Sequence, residues 1–217
     1  MARLQRSSRT HPLMWPFCLP FCLPFRLALL LASALALPSA AATQTSGSPP
    51  LREGVHFALG AGSASVSATC SSCEVSFFDE RLNGLSGVVQ LGGAVTPQLV
   101  VAAEFFGWMN NDAPVYRRVA ALSLVVLGYP SAQSGFFIKG GLGGLRAIVE
   151  NDFVRGTTNT YTAQTGIGYD IPLSGVMVTP YLNYVRTFYG ETDFNGVFSP
   201  EAVFPNAIQV GAALTIH

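Results

Sequence analysis

The chain has 217 residues, 22 of them glycine, with 49% hydrophobic and 11% charged side chains, and acidic and basic groups balance at 12 each. So little charge with a positive mean hydropathy argues against a soluble secreted sandwich, which spends more charge on its outside. The lack of a basic surplus argues against nucleic-acid binding.

The chain opens on a targeting signal. Arg3, Arg6, Arg9 and Arg26 precede the apolar run Leu27 to Leu37, and Ala40, Ala41 and Ala42 supply the small residues of a cleavage site, so residues 1–42 read as a signal peptide. The run is too short for a comfortable spanning helix. Met14 is an alternative start, and Cys18 and Cys22 leave with the peptide. A short linker, 43–53, leads to one exported domain, 54–217. Cleavage removes four arginines and no acid, which leaves eight basic side chains against twelve acidic ones, a formal charge near −4.

Eight alternating segments follow: Val55 to Ser67, Gly84 to Val95, Leu99 to Asn110, Arg117 to Tyr129, Phe136 to Val149, Thr158 to Ile171, Val176 to Tyr189, and Ala207 to His217. Each is long enough to cross a bilayer as a tilted strand. In the sixth, Tyr161, Ala163, Thr165, Ile167, Tyr169 and Ile171 alternate with Thr160, Thr162, Gln164, Gly166, Gly168 and Asp170. In the last, Ile208, Val210, Ala212, Leu214 and Ile216 alternate with Ala207, Gln209, Gly211, Ala213 and Thr215. One greasy face and one small or polar face is the pattern of a membrane barrel strand, apolar toward lipid and polar toward the lumen.

The connections alternate too. Compact turns with Pro or Gly follow the second, fourth and sixth segments (96–98, 130–135 and 172–175), and more polar loops follow the others, two of them long (68–83 and 190–206). Short turns on the periplasmic side, longer loops outside and an even strand number are the habit of outer-membrane barrels. Phe57, Tyr129, Phe136 and Tyr169 fall near the short-turn end and Trp108, Tyr116, Phe188 and Tyr189 near the other, two candidate interface girdles. The expected fold is all-β, an eight-stranded antiparallel up-and-down transmembrane barrel. Closure pairs the backbone groups that an open sheet would leave bare in lipid.

The stretches Thr96-Pro97-Gln98-Leu99, Phe137 to Gly143, Gly166 to Leu173 and Thr179 to Tyr184 resemble, in their order, the eight-stranded outer-membrane β-barrels of Gram-negative bacteria, the family of the outer-membrane protein A barrel and the OmpX-like and opacity-like proteins. The resemblance covers nearly all of 54–217. It implies residence in the cell outer membrane, contact with outer-membrane lipid, and delivery by the barrel-assembly machinery. The C-terminal strand resembles the family's assembly signal at Gln209, Gly211, Leu214 and Ile216, with His217 in place of a final aromatic residue.

Charge is so scarce within the strands that each case matters. Glu104 and Lys139, on the third and fifth segments, can meet across a narrow barrel and, with Arg117, Gln90, Gln164 and Asp170, form an interior polar network. Buried charges must be paired, and eight strands leave a lumen filled by side chains, so plugging is expected ahead of conduction. Cys70 and Cys73, in an exported loop, are expected to form a local disulfide. His56, at the short-turn end, is expected as a polar filler; no catalytic set, metal site or cofactor is expected. The expected role is structural or surface-interaction through the acidic, aromatic loops Glu74 to Arg81 and Glu191 to Phe204, toward an extracellular ligand that the sequence does not name. A small-solute channel and a lipid-directed barrel enzyme are the alternatives.

Overall fold

The computed structural model describes residues 52–70, 81–112, 114–151, 153, 155–194, 197–199 and 203–217. The expected signal peptide, most of the linker, Cys73 and most of the Glu74 to Arg81 loop lie outside the described residues. The strands are β1 (Val55–Cys70), β2 (Leu82–Thr96), β3 (Leu99–Asp112), β4 (Val115–Gly128), β5 (Phe136–Glu150), β6 (Arg155–Tyr169), β7 (Ile171–Leu173), β8 (Val176–Phe194), β9 (Val197–Ser199) and β10 (Val203–Ile216). Successive long strands pair antiparallel, and β10 pairs with both β8 and β1, so the sheet closes. The closing register runs from Phe57↔Ile216 to Cys70↔Val203.

Eight strands thus form the barrel wall. Strand β7 continues β6 past a break at Asp170 and stays on β8, and β9 folds back on the far end of β8. All eight expected segments are strands, and several run further toward the long-loop end than their alternation suggested. The expected loop Glu191 to Phe204 is a correction: its described part belongs to the extension of β8, to β9 and to the start of β10. Cross-strand pairing there extends the wall instead of leaving free loop.

The alternation sorts the faces as a barrel in lipid requires. On β10, Leu214 is 56% exposed while Thr215 beside it is 2% exposed. Leu59, Leu91, Phe105, Leu124, Ile138 and Ile167 carry the same outward face around the wall. Successive side chains of a strand point to opposite faces, so an exposed apolar row forces the intervening residues inward. The inward row must fit a narrow bore, which explains its small residues. A Cβ on Gly60, for example, would stand 2.8 Å from Val88 Cγ1 and 2.9 Å from Ala213 Cβ. At the short-turn end, Gly175 takes φ +83° and closes the tight connection from β7 to β8.

One irregularity shapes the outer surface. Between β6 and β8 the register steps from Tyr161↔Tyr189 to Thr162↔Thr187, so Phe188 is an extra residue. The bulge turns both Phe188 and Tyr189 outward, and their rings stack beside Tyr161 at centroid distances of 6.4 and 6.2 Å. Tyr116 is exposed at this end, and Phe57, Phe136 and Tyr169 at the other. Trp108 and Tyr129, expected in the girdles, are buried in the lumen instead. Trp108 lies on the inward phase of β3 and Tyr129 continues the inward phase of β4 just past its end, and that phase outweighs their nearness to the rim.

Candidate functional site in the barrel lumen

The inward face of β3 carries Glu104 between Ala102 and Phe106, and the inward face of β5 carries Lys139 beside Gly141. Strand β4 separates them and sets Ser123, a small side chain, opposite Glu104. Over it Lys139 Nζ reaches Glu104 Oε2 at 2.6 Å, with the two side chains 2% and 1% exposed. Gln90, cross-strand neighbour of Glu104 on β2, donates its amide to the same oxygen. Such a pair, taken out of water, holds because its partners replace the lost solvation.

From Gln90 the polar contacts continue to the short-turn mouth. Gln90 Oε1 lies 2.9 Å from His56 Nε2, and His56 Nδ1 lies 3.3 Å from Nδ1 of His217. The other nitrogen of His217 faces Asp170 Oδ2 at 3.4 Å. Asp170 follows β6 at the break before β7, buried, and also accepts from Tyr129 Oη at 3.0 Å, Thr179 Oγ1 at 2.7 Å and Arg52 Nη2 at 3.5 Å. Burial works to raise the Asp170 carboxyl, but the neighbouring His217 ring and the donors Thr179 and Tyr129 outweigh it and hold the group below the ordinary aspartate value. Burial first, then the charge of Asp170, pushes the Tyr129 hydroxyl up, so it stays a donor.

Arg52 comes from the segment before β1 and crosses this mouth. Its guanidinium lies 3.4 Å from the centre of the Tyr129 ring and donates to the carbonyls of Ala132 at 3.2 Å and Ser134 at 2.5 Å. The N-terminal segment, the β4–β5 turn, the end of β6 and the last residue of the chain therefore meet in one cluster. A second polar group lies nearby, where Gln209 joins Asn183 at 3.0 Å, Ser86 at 3.2 Å and the Tyr181 hydroxyl at 3.2 Å.

The long-loop half of the lumen is different. Phe106, Trp108, Leu145, Val66 and Val185 pack there as an apolar core, with Trp108 Nε1 donating to the Ala64 carbonyl at 2.9 Å. Inward polar side chains persist there on the β6 and β8 side, as in the Thr158–Thr192 hydroxyl pair at 3.1 Å. Below this core an internal cavity of about 20 Å³ is bordered by His56, Tyr129, Lys139, Asp170 and Tyr181, space for about one water.

The expected network residues divide accordingly. Glu104, Lys139 and Gln90 meet, and Asp170 joins them through His56 and His217. Arg117 does not mediate the ion pair, since its Nη1 reaches Asn110 Oδ1 at 3.5 Å toward the long-loop end. Gln164 is buried on β6 opposite Gly141, and its amide nitrogen has no partner among the described residues. Of the expected assembly signal, Gln209 and Gly211 line the bore, while Leu214 and Ile216 face outward. Cys70 ends β1, and its expected disulfide partner lies outside the described residues. His217, Tyr129 and Arg52 were missed. Alternation from Thr215 puts His217 inward, and the same phase places Tyr129; Arg52 lies before the first strand and carries no periodic signal. Among the described residues no group of three or more His, Cys, Asp or Glu side chains is gathered as a metal centre.

No family profile matches the chain, and no curated protein matches it. Solved structures do. Neisserial surface protein A (NspA) superposes with a TM-score of 0.50 at 17% identity, over 76% of this chain and 99% of that one. Ail, the attachment invasion locus protein of Yersinia pestis, gives 0.49 at 9% identity over 74% and 98%, and the outer membrane protein OprG of Pseudomonas aeruginosa gives 0.49 at 13% over 76% and 98%. With identities this low the likeness speaks to fold, and it agrees with the closed strand order: the chain has the fold of the eight-stranded outer-membrane β-barrels.

Proposed function

We propose that the chain is an integral outer-membrane protein with a structural or surface-interaction role, a closed lumen and no enzymatic activity. The observation that carries this reading is the double closure of the bore, by Phe106, Trp108 and Leu145 in one half and by the Glu104–Lys139 pair in the other. Eight strands leave an interior that side chains can fill, and here they fill it. The outward apolar belt supports lipid as the solvent of the wall, since a soluble protein rarely exposes so continuous a surface. Of the histidines among the described residues, His56 is taken up by Gln90 and packs against the His217 ring, which favours packing over hydrolysis.

On this reading the barrel-assembly machinery takes the chain by β10, and the long-loop end, with a Cys70–Cys73 disulfide, meets an extracellular ligand. Fractionation with heat-modifiable gel migration tests the barrel in its membrane, and planar-bilayer recording tests closure. Folded protein in the outer-membrane fraction with no conductance steps is expected. Steady steps from the unaltered protein would make it a small-solute channel instead.

A further inference from the structure

The outward rows of the wall turn from apolar to polar before the long-loop end. Register partners followed once round the barrel lead from Val55 back to β1 at Ser65, so each strand lifts the level toward the long-loop end by about one residue. With that climb allowed for, the change falls at one height. It is made by Asn206, Ser65, Asn83 and Asn111 on β10, β1, β2 and β3, and by Arg118, Arg146 and Arg186 on β4, β5 and β8. One half of the rim is thus neutral and the other cationic. All three arginines are exposed, and none has an acidic partner among the described residues. The acids of this sector stand farther out, Glu150 beyond Arg146 on β5, and Glu191 and Asp193 beyond Arg186 on β8. A charge on the lipid face is costly at mid-membrane and nearly free at the interface, so this height is where headgroups begin.

We propose that this sector of the outer wall binds the headgroup of a phosphorylated glycolipid of the outer leaflet, its phosphates held by Arg118, Arg146 and Arg186 and its sugar by Tyr161, Phe188 and Tyr189. The site rests on the outer-membrane reading given above. Arg118 stands opposite Ile148, two residues along β5 from Arg146. These guanidiniums are carried by neighbouring strands, about 5 Å apart, and can close on one phosphate, whose oxygens match their planar forks. Arg186 is two strands from Arg146, about 10 Å, a span that a sugar headgroup bridges. In that gap β6 presents Tyr161, with Phe188 and Tyr189 stacked beside it at 6.4 and 6.2 Å and all three rings exposed. The bulge at Phe188 is what sets two successive aromatic side chains on the outward face just beyond Arg186. Ring faces take the C–H side of a sugar and the first acyl carbons, and the arginines take the phosphate. A simple anionic phospholipid brings phosphate without the sugar and engages only part of this arrangement.

The test uses folded barrel in neutral detergent, incubated with lipid A and read by native mass spectrometry. Retained lipid A is expected, falling at least tenfold when the lipid is stripped of its phosphates and at least tenfold in the triple variant Arg118→Gln, Arg146→Gln, Arg186→Gln. Arg81→Gln, which removes an exposed charge at the same end but outside the sector, should leave retention unchanged. Phe188→Ala with Tyr189→Ala should lower retention of lipid A and not that of phosphatidylglycerol. Heat-modifiable migration shows that each variant is folded; should the triple variant fail to fold, Arg118→Gln with Arg146→Gln gives the same readout. Equal retention of both forms of lipid A, undiminished retention in the folded arginine variants, or phosphatidylglycerol retained as well as lipid A overturns the site. A barrel that fractionates with the outer membrane and retains no lipid A fails this proposal alone, whereas a chain absent from that fraction fails the outer-membrane reading beneath it.

Discussion

Glu104 and Lys139 sit on strands that are not neighbours, yet their charged atoms meet at 2.6 Å across β4. A barrel of this width makes that contact available because the strand between them offers only the small Ser123 at the level of Glu104. The contact ties the polar half of the lumen together, since Gln90 and, through it, His56 depend on the same carboxylate.

Breaking the pair from one side strands a charge in a dry bore, which costs about 3 to 5 kcal/mol, whereas removing both charges costs less. Glu104→Gln and Lys139→Met should therefore each destabilise the barrel more than the double replacement does, in urea titrations in lipid vesicles. Strict additivity of the two single effects would mean that the contact contributes nothing to stability.

The outer wall predicts a dependence on depth. Leu142 is 66% exposed near the middle of β5, and Leu173 is 56% exposed at the short-turn rim. Exposure alone does not separate them. In lipid, Leu142→Arg should cost about 2 to 4 kcal/mol and Leu173→Arg about 0 to 1. Equal small penalties in vesicle folding would speak for water, not lipid, around the wall.

Trp108 fills the apolar half of the lumen and spends its indole N–H on the Ala64 carbonyl. Trp108→Ala should cost about 3 to 5 kcal/mol and leave a void in the bore. Combined with Lys139→Met it removes part of both closures, so small, flickering conductance is expected in planar bilayers from the double variant and none from the parent. A silent double variant would show that the remaining side chains close the lumen without either.

What the sequence made legible was whatever repeats with a period of two. All eight barrel strands and the inward phase of Glu104, Lys139, Gln90, Gln164 and Asp170 follow from alternation. Contacts across the bore do not, because they depend on stagger between strands far apart in the chain. Alternation placed Arg117 on a strand but gave no height for it, and the structure sets it beside Asn110 instead of Glu104. Rim position alone points Trp108 and Tyr129 toward the girdles, but the phase of their strands turns both into the lumen. The pairing of His56 with His217 required the barrel to close, which no local pattern encodes.

Asp170 gives the last prediction, and its sign can be worked out. Burial works to raise its carboxyl, but the neighbouring His217 ring and the donors Thr179 and Tyr129 overcome burial and leave its folded value below the ordinary one. A carboxyl depressed in the folded state contributes stability that is present above the unfolded value, about 3.9, and is lost as pH falls through the folded value. Asp170→Asn should cost several kcal/mol at neutral pH, because Arg52 then keeps a buried charge without its carboxylate. That difference between parent and variant should hold down to about pH 5 and shrink as the pH falls below about 3.9. Vesicle folding titrations of both proteins at neutral and acid pH check this. Parallel curves, with the same gap at every pH, would mean that Asp170 is not ionised in the folded barrel, and the reading of the mouth as a carboxylate held by converging donors would fail.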